Sequence, residues 1–425
     1  VNIVATLATG VGGVIAARGL GAAGRGTAAA LVALPTFVSF IATAGLPSAL
    51  IYEARKDPDA APQLLGAGLF VAVGIGLLAW LATWLYTPHM LAGLPPDLMA
   101  AGRMLSVFGF AGILSNVGIA ALQSQRAFVA CNVIRLAQPL IQLAGLVALE
   151  GAGQLRPVPV ALLTLSAGIP GITWNLGWIH RNCTLHLDTI AAALRRLLHY
   201  AARAAAGELV AGMAGQIDKV IVVGLFAPQA LGLYVVAMSL SRVLAIIPSA
   251  VVPVLFPATA GRSPPEVLDV TSRAAAMTAV CVAAGAVVLG AVGPWLLRLF
   301  YGSDFTGAGW AFRLLLVEAA LSAVAQVLAQ AFLALNRPVL AALQQGLGVA
   351  IAAALLYTLT PRWGLAGAAT ALLAAAVTRL ASSYHAFRLI GAGMPAIRPH
   401  IGPSIARLYD IVVRLVPTRP SIPPS

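Results

Sequence analysis

The sequence predicts an all-α integral membrane protein of about twelve transmembrane helices in two six-helix lobes related by a parallel internal repeat. Three observations carry this. The 425 residues are 60% hydrophobic and only 9% charged, where a soluble domain carries roughly 25% charged residues. Thr27–Tyr52, Ala60–Pro88, Met104–Gln125, Ala274–Leu297 and Pro338–Pro361 contain no Asp, Glu, Lys or Arg, and a helix of about 20 such residues crosses a ~30 Å hydrocarbon layer. Finally, a shift of 206 positions lays Gly26 on Gly232, Pro47 on Pro253, Lys56 on Arg262 and Pro58 on Pro264.

Ionisable residues, Pro and Gly punctuate the spans near 1–17, 27–52, 63–86, 104–124, 128–149, 157–179, 204–226, 231–256, 271–297, 311–333, 339–360 and 364–388. Barrel-type alternation is missing, so the spans are helices. The run 1–17 leads straight into Arg18 and reads as a first span rather than a cleavable leader. The even-numbered connections and the tail hold fifteen Lys and Arg residues and the odd-numbered connections seven. Both termini of the multi-pass chain are therefore expected in the cytoplasm.

Between the sixth and seventh spans, Leu187, Ile190, Ala191, Leu194, Leu197 and Leu198 recur at helical spacing, with Asp188, Arg195, Arg196 and His199 elsewhere. That is an amphipathic interfacial helix. The expected organisation is a lobe at 1–180, a cytoplasmic linker at 181–200, a second lobe at 201–390 and a basic, Pro-rich tail at 391–425, with a weaker amphipathic stretch at Ile405–Val416. Six helices separate the repeats, an even number, so both insert in the same direction.

Composition also excludes functions. Cys131, Cys183 and Cys281 are too few and too scattered for a disulfide framework or zinc site. No metal or cofactor is expected. The net charge of +13 is spread one or two residues per loop, the ordinary topology signal and not a nucleic-acid patch. The longer odd-side loops, 87–103 and 298–310, offer His89, Asp97 and Asp304, too little acid/base equipment for a membrane glycan polymerase or ligase. The chain is not expected to be an enzyme.

Three stretches, "ARGLGAAGRG…LPTFVSFIATAGLPSALIY", "QIDKVIVVGLFAPQALGLYVVAMSLSRVL…VPVLFP" and "LLRLFYGSDFTGAGWAFRLLL", resemble the polysaccharide-transporter (O-antigen flippase-like) branch of the multidrug/oligosaccharidyl-lipid/polysaccharide exporter superfamily. The resemblance implies two lobes forming a V around a central cavity lined by the first, second, seventh and eighth helices. It implies alternating access that turns over undecaprenyl-diphosphate-linked oligosaccharide. Its implied partners are that lipid-linked glycan, membrane lipids and a glycan polymerase or glycosyltransferases of the same pathway. A lipid II flippase and a cation-coupled drug antiporter are the alternatives, the latter disfavoured because the first helix has no carboxylate.

Ionisable residues inside spans are costly and are candidate functional groups. The substrate-binding candidates are Arg18, Arg25, Arg135, Asp218, Lys219 and Arg242, and the coupling-ion candidates Asp218 and Glu208. An arginine fork suits a diphosphate because it grips two oxygens and stays charged when desolvated. Arg18 and Arg25 either line the outer cavity or snorkel to headgroups. Asp218 and Arg242 either face substrate or pair within one lobe. Glu318 and Arg379 read as inter-helix packing, and the histidines as interfacial residues.

Overall fold

The computed structural model describes residues 2–182, 190–259, 262–390 and 399–406. Cys183, His186, Leu187, Asp188 and most of the tail, from residue 407 on, lie outside the described residues. The elements are α1 (Asn2–Ala42), α2 (Leu46–Lys56), α3 (Ala61–Met90), α4 (Pro96–Leu105), α5 (Val107–Ser124), α6 (Phe128–Gly151), α7 (Pro157–Ser166) and α8 (Ile169–Asn182). They continue as α9 (Ile190–Leu225), α10 (Pro228–Ser241), α11 (Ile246–Thr259), α12 (Pro264–Leu296), α13 (Gly309–Ala334) and α14 (Pro338–Leu389).

The fold is one of twelve helices, and among the described residues nine helical stretches are long and apolar enough to cross a membrane. At 1.5 Å per residue the 41 residues of α1 would reach about twice a bilayer core and the 52 of α14 about two and a half times. Both are bent by one glycine. Gly21 sits at φ 64, ψ −178 and Gly364 at φ 55, ψ −132, conformations where a side chain would be strained. The second span is itself split: α1 ends at Ala42, Gly45 takes φ 80, and α2 restarts with Pro47 in its first turn, where the missing N–H costs nothing. Pro35 inside α1 removes another amide, and the Ser39 hydroxyl lies 2.7 Å from the carbonyls of both Pro35 and Gly109. The eighth span is α10 and α11 joined by a 3₁₀ turn at Arg242–Ala245.

Local geometry repeats between the halves. At the end of α5, Gln125, Arg126 and Ala127 donate to the carbonyls of Ala121, Gln123 and Leu122, and Arg126 is left-handed at φ 58. At the end of α13, Leu335, Asn336 and Arg337 donate to Ala331, Leu333 and Phe332, and Asn336 has φ 57. This is one C-cap, with its five-residue back-bond, at the ends of the fourth and tenth spans.

The residues group into two compact units, Val1–Ser239 with Pro294–Ala311 and Ala352–Ala371, and Leu240–Gly293 with Phe312–Ile351 and Leu372–Ser425. The first has its main core where α2, α3, α5, α8 and α9 meet, around Leu50, Leu64, Ile113, Val117 and Leu197. The second packs α11, α12, α13 and α14 around Val267, Leu328 and a Phe332–Phe387 stack with centroids 4.4 Å apart. There Glu318 and Arg379 meet at 3.3 Å, and Ser322 lies 2.7 Å from each. They join two spans, as their sequence pattern suggested.

The amphipathic stretch is not a separate helix, since it runs into the seventh span as the single α9. Ala193, Leu197 and Ala201 form its buried face, while Leu198 is exposed. Arg196 clasps α2, 2.9 Å from both Glu53 and Asp57, and Tyr200 stacks on Tyr52 at 4.6 Å. The Arg196 guanidinium, helped by the Ala60 amide, holds the Asp57 carboxyl below its usual range. Asp57 and Glu53 in turn raise Arg196, which stays charged throughout. Because Asp57 is depressed in the folded state, its share of the clasp is complete above about pH 4 and lost as pH falls further. Acid, or Asp57→Asn at neutral pH, should release the start of α9, read as faster amide exchange over residues 190–200. Unchanged exchange in both would show that Glu53 alone holds the helix.

Candidate functional site

The candidate site begins at the α1 bend. Gly26 packs so closely on α10 that an added Cβ would overlap the Pro228 carbonyl oxygen and lie 2.8 Å from the Gly232 nitrogen. A Cβ on Gly232 would overlap the Ala22 carbonyl and lie 3.1 Å from the Gly26 nitrogen. Under the 206-residue shift Ala22 becomes Pro228 and Gly26 becomes Gly232. Each contact is therefore the image of the other, the reciprocity that a two-fold relation produces. Duplication is thus written in three dimensions, at backbone-to-backbone distance that only glycine permits.

Around this crossing lie the end of α12, a π turn at Leu297–Tyr301, and a 3₁₀ turn at Ser303–Ala308. A Cβ on Gly21 would stand 3.5 Å from an Asp304 carboxylate oxygen. Arg25 lies beside Tyr301. It is half-buried, its Nε is out of solvent, and it has no hydrogen-bond acceptor among the described residues. Arg18, on the other side of the bend, is exposed. Sequence reading found the two arginines but not their setting. The signal for Pro228 and Gly232 was the repeat shift itself.

The remaining candidates are dispersed. Asp218 is buried at 3% exposure and accepts the Tyr234 hydroxyl at 3.0 Å. Its other oxygen has no hydrogen-bond partner among the described residues. Lys219 is exposed and, among the described residues, donates to Gln216 at 2.9 Å. Arg242 is half-buried and opens the 3₁₀ turn of the eighth span. Arg135 is exposed on α6.

Glu208 does something the sequence did not reveal. Its carboxylate accepts the Gly45 amide at 2.8 Å and the Ser48 hydroxyl, so α9 supplies the cap of α2. Gly45 must be glycine twice over, for its positive φ and because a Cβ would overlap the Ala201 carbonyl. An anion at a helix N-terminus is favourable without any ligand. Among the described residues no three His, Cys, Asp or Glu side chains gather as a metal site requires.

The arrangement is an all-helical membrane fold. It resembles an inward-facing multidrug resistance MATE family transporter of the MOP superfamily, with TM-score 0.69 and 14% identity over 97% of this chain and 96% of that one. It resembles lipid II flippase MurJ in an inward closed conformation, with TM-score 0.68 and 12% identity over 98% and 94%. An outward-facing MATE transporter of the same superfamily gives TM-score 0.57 and 14% identity over 91% and 94%. At such identities these likenesses establish the fold alone. No curated protein sequence matches the chain. A family model described as polysaccharide biosynthesis protein matches residues 15–309. The chain belongs to that family.

Proposed function

We propose that the protein is a flippase that moves polyprenyl-diphosphate-linked oligosaccharide from the cytoplasmic to the outer leaflet of a bacterial inner membrane by alternating access. The observation that carries this is Arg25, a half-buried guanidinium in a membrane-spanning helix with no acceptor from the protein among the described residues. Such a group is held at a cost and is repaid by an anion with paired oxygens, which a diphosphate offers. Arg18 extends the cationic lining outward, and Arg135, Lys219 and Arg242 are its further members. Asp218, with one buried oxygen unmatched, takes a coupling proton or monovalent cation, with Glu208 as the second candidate. The lobes are 1–180 and 201–390, joined by 181–200 and followed by a cytoplasmic tail at 391–425. The Gly26–Gly232 crossing closes the outer side between turnovers. Family membership supports the glycan pathway and, with it, a polymerase or glycosyltransferases as neighbours.

Purified protein in liposomes carrying a fluorescent undecaprenyl-diphosphate oligosaccharide tests this. Arg25→Ala should slow flipping about tenfold or more, the scale of one lost charge-assisted phosphate contact, and Arg25→Lys should recover only part. Wild-type rates for Arg25→Ala would remove the arginine from the substrate path. A lipid II reading draws on the fold shared with the MurJ flippase, and is favoured instead if lipid II outcompetes the oligosaccharide in the same vesicles.

A further inference from the structure

An open groove lies on the first unit, between α3 and the α4–α5 junction. Gly102 makes it. A Cβ there would come 2.6 Å from Leu91 Cδ1 and 3.1 Å from Thr87 Cγ2, so only glycine lets α4 seat against the end of α3. The close seat leaves an open groove of about 390 Å³ lined by Trp80, Trp84, Ala100, Arg103, Met104 and Val107. Both indoles are about 40% exposed. The Arg103 guanidinium stands over Trp84, 5.1 Å from its ring centroid. Among the described residues it has no ion pair and no side-chain hydrogen bond.

Depth decides what fits. α3 begins at Ala61, just past the charged turn Lys56–Asp59, and has 30 residues. About 20 residues cross the hydrocarbon, and Trp80 is the twentieth. Trp84 is a turn further on, so the groove runs from acyl-chain depth into the headgroup layer opposite Lys56. Tryptophan favours that boundary. A guanidinium there, with no anion from the protein, finds its acceptor in a lipid phosphate, whose two free oxygens match the arginine fork.

We propose that this groove holds one anionic phospholipid, its phosphodiester on Arg103 and an acyl chain along Trp80, Met104 and Val107. A zwitterionic headgroup is the poorer ligand because its own ammonium competes for the phosphate. The occupancy is independent of transport chemistry.

The test uses the full chain in neutral detergent, titrated with phosphatidylglycerol or phosphatidylcholine bearing brominated acyl chains, or with inorganic phosphate. Native mass spectrometry counts bound lipid and tryptophan quenching reports contact. Phosphatidylglycerol should bind about tenfold tighter than phosphatidylcholine. Arg103→Gln should erase that difference and Arg103→Lys restore part of it. A Trp80→Phe, Trp84→Phe double variant should keep the bound lipid but lose most quenching. Arg103 is exposed, so the variants should melt within a few degrees of the wild type. Three results would each overturn the site: equal binding of the two lipids, unchanged phosphatidylglycerol binding in Arg103→Gln, or inorganic phosphate binding as tightly as the lipid.

Discussion

Gly26→Ala is expected to stop flipping while leaving an inserted, folded protein, and Gly232→Ala is expected to do the same. The two methyl groups would overlap the carbonyl oxygens of Pro228 and Ala22 respectively. Backbone cannot swing aside as a long side chain can, so the helices must separate at the crossing. Overpacking of this kind costs about 1–3 kcal/mol in a core, which opposes the closed geometry rather than the fold. Because the contacts are related by the repeat, the single variants should match in magnitude. The double variant should be scarcely worse than either, since one separation relieves both clashes. Flipping rates in liposomes supply the first readout. Disulfide trapping between cysteines placed at Ala22 and Pro228 supplies the second, and should fall in every variant. Normal flipping in Gly26→Ala would show that the crossing stays fixed through the cycle.

The largest effect on stability should come from the Glu318–Arg379 pair. The side chains are 3% and 13% exposed, and Ser322 bridges them. Arg379→Ala strands a buried carboxylate, one oxygen of which already has no partner among the described residues. Removing one member of such a pair costs about 3–5 kcal/mol. Replacing both, as Glu318→Leu with Arg379→Met, should recover most of that loss, because two desolvated charges disappear together. Thermal unfolding in detergent is the measurement. A double variant as unstable as the single would mean that the arginine stem, packed where Gly348 leaves room for its Cγ and Cδ, carries the stability and the charges do not.

How much of this was legible beforehand follows from the range over which each interaction acts. Span number and order follow from runs of apolar residues, and bilayer thickness turns run length directly into helix number. The repeat left four coincidences in one register, enough to align Gly26 with Gly232. The structure adds that the aligned residues touch each other's neighbours. Glu318 and Arg379 were legible as inter-helix packing because a charge inside an apolar span needs a partner, and the structure shows that each is the other's. Asp218 showed the limit, since depth left open both a pairing with Arg242 and a contact with substrate, while the structure gives its carboxylate the Tyr234 hydroxyl. Depth fixes height in the bundle but not azimuth. Glu208 was hidden for another reason, as its acceptor role depends on the backbone amide of Gly45, a donor every residue type carries.

By itself the sequence determined that this chain lives in a membrane, that it is built of about twelve helices and that it contains two copies of one plan. Those properties depend on solvent transfer and backbone sterics, which act residue by residue. Only the tertiary structure decided that α9 caps α2 through Glu208, that Arg25 stands without an acceptor among the described residues, and that Gly102 opens a groove beneath Arg103. Each depends on which faces meet across tens or hundreds of residues, and in lipid that choice is made by close packing and hydrogen bonds, to which hydropathy is blind.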